Sequence, residues 1–137
     1  MSDPEIVVDA LRWLRYAKED LDLAAAIAHA GDRTPRHACF LAQQAAEKGL
    51  KAVLVLERVE FPFIHDLREL RRLVPDGWPV SAGLADLAQL TVWGAESRYP
   101  GDWPEPTAED ALRAEAEARR VYDSIAAEFS RRGVVSE

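Results

Sequence analysis

Cysteine is nearly absent. The 137-residue chain holds one, Cys39, which excludes an intramolecular disulfide and any cysteine-based zinc site. Glycine and proline are sparse, at seven and eight positions, so this is no low-complexity sequence. No apolar run approaches the roughly 18–20 residues needed to span a bilayer. The first residues carry Asp3 and Glu5 where a signal peptide would be basic, so the expected location is the cytoplasm. A Walker-type glycine loop, a Gly-x-Gly-x-x-Gly turn and a His-Glu-x-x-His helix are all missing. His29, His37 and His65 lie far apart with no metal-ligand spacing, and Cys39 falls within a helical pattern as a buried, inert thiol. No metal and no cofactor is expected.

Positive charge is also in short supply. The net charge is −7, which argues against a duplex-DNA binder, since that function needs many phosphate contacts. The balance is uneven: residues 1–30 sum to −3, residues 31–74 to +2 and residues 75–137 to −6. The middle third is therefore the place to look for an anion-binding surface, against the plainer reading of a solvated helix face. Apolar residues make up 48% of the chain, enough for one core, and the length suits one domain, expected over residues 1–132 with a frayed tail at 133–137.

Alternating strand patterns bounded by turns are lacking, whereas helical periods are plain. Val7, Leu11, Leu14, Ala17, Leu21, Ala24 and Ala28 recur at gaps of three and four and predict a helix from Pro4 to His29, capped near Ser2-Asp3 and closed at Gly31. A second helix is expected from a Thr34 cap and Pro35 to Leu56. Its stripe is small throughout (Ala38, Ala42, Ala45, Gly49, Ala52), which lets another helix come close. His37, Gln44, Lys48 and Lys51 form a polar row beside it, and Glu47 is placed to pair with Lys51 at i,i+4. Pro62 ends helical structure. A short helix is expected from Asp66 to Val74, with Asp66 and Glu69 as a capping box, and another from about Ser81 to Ser97 with Leu84, Leu87, Leu90 and Trp93 inward. Residues 99–106 hold three prolines and a glycine and must be a loop. The last helix begins at a Thr107 cap with Asp110 three residues on and reaches about Arg132. The expected fold is all-α, an antiparallel up-down bundle of three long and two shorter helices.

Three clusters carry chemistry. Gln43, Gln44, Glu47, Lys48 and Lys51 border the small-residue stripe, either as a polar outer row or as a groove offering amides and lysines to a base or phosphate. His65 precedes Asp66, which as an N-cap is worth about 1 kcal/mol. His65 itself is a side chain suited to titrate near neutral pH as an acid or base. Arg98 and Tyr99 precede the proline loop, where an arginine fork suits phosphate and an aromatic ring suits stacking, unless they only stop the helix.

In this order the clusters resemble a HEPN domain (higher eukaryotes and prokaryotes nucleotide-binding). The likeness rests on Trp13 through Asp20-Leu21, on Ala38 through Ala52 with its Gln43-Gln44-Ala45-Ala46-Glu47-Lys48 core, on His65-Asp66-Leu67 and on Arg98-Tyr99-Pro100. The resemblance implies a five-helix antiparallel bundle and a homodimer. Small bacterial members often act beside a minimal nucleotidyltransferase, commonly as a toxin–antitoxin type module. It thus implies a module that binds a nucleotide, RNA or such a partner, with Gln43, Gln44, Lys48, Lys51, Asp66, Arg98 and Tyr99 as the binding residues. Many relatives are metal-independent ribonucleases with an Arg-x(4–6)-His motif. Arg58 and His65 have that spacing, but Val59 follows the arginine and the segment between is the loop before the third helix. Arg98 has no histidine after it. A binding module is therefore the expected function, with a ribonuclease using His65 and Arg58 as the alternative.

Overall fold

The computed structural model describes residues 3–30, 34–82, 87–96 and 105–135. The elements are α1 (Pro4–His29), α2 (Pro35–Leu56), α3 (Leu67–Leu73), a 3-10 turn (Pro79–Ser81), α4 (Leu87–Glu96) and α5 (Ala108–Arg131). No strand occurs among the described residues, and none of the helices is long and apolar enough to cross a membrane.

The caps explain the boundaries. Asp3 accepts the Glu5 backbone N–H at 2.8 Å and opens α1. Thr107 and Asp110 exchange reciprocal bonds at 3.1 and 2.9 Å, a full capping box at the head of α5. Asp66 accepts the Arg68 N–H at 2.9 Å, while Glu69 turns away to pair with Arg72. The expected Thr34 cap is corrected: Thr34 sits in the left-handed region at φ 51° and its side chain caps nothing, so Pro35 alone starts α2. The expected start of α4 is also corrected. Pro79 begins a tight turn, Ser81 donates to Trp78 O at 2.9 Å, and Ala82 is extended. Ser2, Gly31, Leu84 and Ser97 lie outside the described residues.

The α1–α2 connection is short and the pair is antiparallel: Asp20 meets Lys48, while Trp13, earlier on α1, meets Lys51, later on α2. The α2–α5 connection is long. It carries the chain back through α3 and α4, so that α5 runs beside α2 in the same direction. Gly49 faces Ile125, and Glu57 pairs with Arg132 at 3.3 Å. Helix α2 is thus central, touching α1, α3, α4 and α5. Its small stripe Ala38, Ala42, Ala45, Gly49 and Ala52 is wholly buried. A Cβ on Gly49 would stand 3.3 Å from the Ile125 side chain, which is why glycine fits there.

The turn that closes α2 holds Arg58, which among the described residues is the other non-glycine residue in the left-handed region, with φ 58°. The Val59 N–H donates to Leu54 O at 2.8 Å across this turn. That position favours glycine because a Cβ there is strained. Arg58→Gly is expected to raise stability by roughly 0.5–1 kcal/mol, because relief of the left-handed Cβ outweighs the extra freedom glycine gives the unfolded chain, read as a higher urea midpoint with an unchanged slope.

Candidate functional site

The site grows from one face of α2. Gln43, Glu47 and Lys51 follow one another at i,i+4 spacing, one above the next on the helix. All three are buried. The Gln43 amide Nε2 donates to Glu47 Oε1 at 3.2 Å and to the His65 carbonyl at 3.3 Å, and its oxygen accepts from Gln44 Nε2 at 2.7 Å. Lys51 Nζ donates to Glu47 Oε2 at 3.0 Å. His65 comes from the loop before α3 and places Nδ1 2.9 Å from Glu47 Oε1.

Glu47 is therefore the hub, with both carboxylate oxygens bonded. Burial alone would raise its pKa. The hydrogen bonds from His65, Lys51 and Gln43 and the Lys51 charge outweigh that, and the net direction is downward from 4.5. A folded-state pKa below the unfolded one adds stability that is present above about pH 4.5 and lost as pH falls through the lowered value. Glu128, held at about 2 by Arg131 and Arg132, acts in the same sense. The expected outcome is that acid weakens wild type more steeply than Glu47→Gln, seen in urea melts run from pH 6 to pH 3.

Around this hub lies an aromatic wall. The Lys51 ammonium stands 5.6 Å from the Trp13 ring centroid, 5.8 Å from Phe61 and 6.0 Å from Phe63, within cation–π reach. Trp13 is set by α1, and the two phenylalanines by the Pro62 loop. Next to it, Lys48 bonds Asp20 across the α1–α2 seam at 2.5 Å, both partly buried. The network opens to solvent at His65, whose side chain is 47% exposed. The loop is anchored behind it, because the Leu67 N–H donates to Thr91 Oγ1 on α4 at 3.0 Å.

The structure brings Gln43, Gln44, Lys51 and His65 into one bonded network, with Lys48 one turn along α2 from Gln44. Gln43 is enclosed and spends both ends of its amide inside the protein, so its part is to hold the network. Lys51 does the same, facing inward rather than continuing an outer polar row. Asp66 caps α3. Arg58 is exposed at the end of α2, and among the described residues no hydrogen bond or ion pair joins it to His65. Arg98 and Tyr99 lie outside the described residues. Cys39 is buried, its thiol pushed up to about 12 by burial with Asp110 adding to it. No group of His, Cys, Asp and Glu among the described residues is arranged to hold a metal.

Sequence reasoning missed Glu47 as the hub, Asp20 as the Lys48 partner, and the Trp13, Phe61 and Phe63 wall. The i,i+4 run from Gln43 through Glu47 to Lys51 was the available signal for the first. Nothing in the sequence tied the loop aromatics to Lys51.

The family model described as HEPN domain matches residues 10–128. The chain is similar to TT1696 from Thermus thermophilus, at 28% identity and TM-score 0.73, over 87% of this chain and 97% of that one. It is also similar to ST0689, an archaeal HEPN homologue, at 26% identity and TM-score 0.63, over 87% and 96% of the two chains. No curated protein sequence matches significantly.

Proposed function

Because this chain belongs to the HEPN domain family, we propose that it is a binding module rather than a hydrolase. In this reading it homodimerises and presents a surface for a nucleotide, a minimal nucleotidyltransferase partner, or both, as one half of a toxin–antitoxin type system. The observation that carries the reading is the Glu47-centred network, buried on α2 and open at His65. Buried polar networks of this kind cost stability unless their members are bonded, so one whose buried members Gln43, Glu47 and Lys51 are bonded inside, while Gln44 and His65 stay partly exposed, suits a ligand site. Gln44 offers an amide to a base edge, Lys48 a charge to phosphate, and His65 a group that orients or protonates. Gln43, Lys51 and Asp66 hold these in place, while Arg98 and Tyr99 are proposed for phosphate and stacking contacts from their residue types alone.

One observation favours the alternative. A histidine oriented by a carboxylate is the arrangement of a general acid–base pair, so a ribonuclease using His65 with Arg58 is the second reading. Both are tested together. Light scattering is expected to give twice the 15.3 kDa chain mass. RNA incubated with wild type in EDTA is expected to stay intact. Cleavage in EDTA that His65→Ala abolishes would establish the ribonuclease instead.

A further inference from the structure

Phe63 is the most exposed large apolar side chain among the described residues, at 95%. Folding gains almost nothing from it there, yet the ring has fixed neighbours. The Phe63 and His65 rings form a T-shaped pair with centroids 5.9 Å apart and planes at 77°, and the Lys51 ammonium lies 6.0 Å from the Phe63 centroid.

His65 adds a directional group. Glu47 is held ionised, so its oxygens only accept, and the His65 Nδ1 that touches it must carry a proton. In the neutral ring the lone pair then sits on Nε2. No described residue bonds that nitrogen, and the side chain is half open to solvent. An acceptor of fixed tautomer therefore stands beside an open aromatic ring.

We propose that Phe63 and His65 form a receptor for one unpaired nucleobase, which stacks on Phe63 and donates an amino or ring N–H to His65 Nε2. Glu47 is the positioning residue that sets the tautomer. The proposal rests on the nucleotide-binding reading above and narrows it to one place and one base edge. Stacking on a single ring tolerates any base but strengthens with ring area, so purines bind ahead of pyrimidines. A free nucleotide and a single-stranded RNA share this chemistry.

The test begins with the histidine side-chain ¹⁵N spectrum of unaltered protein, in which the Nδ1 of His65 facing Glu47 is expected to carry the proton and Nε2 the lone pair. AMP, CMP and a short oligoadenylate are then titrated. The His65 Nε2 and Phe63 ring signals are expected to move, with AMP binding more tightly than CMP. Movement with oligoadenylate alone assigns the site to RNA, and movement with both admits the free nucleotide. Phe63→Ala is expected to weaken AMP or oligoadenylate binding about tenfold with an unchanged melting temperature, since that ring is exposed. Glu47→Gln leaves Lys51 buried without its counter-charge, so the wild-type tautomer carries the Glu47 assignment. A neutral His65 protonated on Nε2 overturns the proposal. So does nucleotide binding that moves other residues and survives Phe63→Ala, which would leave the nucleotide reading standing at another place. Loss of a co-expressed protein partner on Phe63→Ala, with nucleotide affinity intact, also overturns it and makes Phe63 a protein anchor. The absence of nucleotide binding anywhere defeats the proposal together with the nucleotide reading.

Discussion

Glu47→Ala is expected to destabilise the protein by about 3–5 kcal/mol, because it leaves the Lys51 ammonium buried without its counter-charge. The same change strips an acceptor from His65 and from the buried Gln43 amide. A domain of this size has roughly 5–15 kcal/mol in total, so the melting temperature should fall by about 10–20 °C. The pair Glu47→Leu with Lys51→Met separates the two components of that loss. It removes both charges and fills the space with apolar groups, which is often close to neutral for a buried ion pair. Thermal unfolding of the two proteins side by side checks this. Equal losses in both would mean that the charge pair is not what holds the site.

Trp78→Ala should cost a comparable amount, about 3–5 kcal/mol. Trp78 is buried where the 3-10 turn meets α5. Its ring meets Phe129 edge-on at 5.6 Å, and the Arg132 guanidinium lies 4.2 Å from its centroid. Arg132 in turn bonds Glu128 at 2.7 Å and Glu57 at 3.3 Å. The indole thus joins the turn, the end of α2 and the end of α5. Its Nε1, however, has no hydrogen-bond partner among the described residues. Trp78→Phe should therefore keep most of the packing, lose no hydrogen bond, and cost under about 2 kcal/mol. Urea unfolding of both variants tests the distinction, and a Trp78→Phe loss as large as that of Trp78→Ala would contradict it.

Helices α1 and α5 were legible because each has one wet face and one dry face, as α1 shows from Ala10 to Ala28. Their ends were legible where side chains make the cap, as at Asp3 and Thr107. Thr34 was not, because its backbone rather than its side chain sets the entry to α2. The start of α4 was missed because Ser81, where the apolar period was taken to begin, lies inside the tight turn that Pro79 opens. The site was harder to read for a more general reason. Polar residues are assigned to a solvent face on the premise that a helix has one. Helix α2 has neighbours on several sides, so Gln43, Glu47 and Lys51 are polar and buried at once. Their partner His65 comes from 18 residues beyond Glu47, and only the folded chain brings it there. The Arg58–His65 spacing had the opposite character: it was visible in the sequence, yet the described contacts do not join the two residues.

The central claim is that a nucleotide binds beside α2 at the open end of the Glu47 network. Calorimetric titration of the wild-type protein with ATP, repeated on Lys48→Ala and His65→Ala, tests it most directly. The account predicts one site per protomer, weakened about tenfold or more in each variant, as expected for a lost hydrogen-bonding contact of about 1.4 kcal/mol or more. Absence of binding, or binding that both variants leave unchanged, would contradict it.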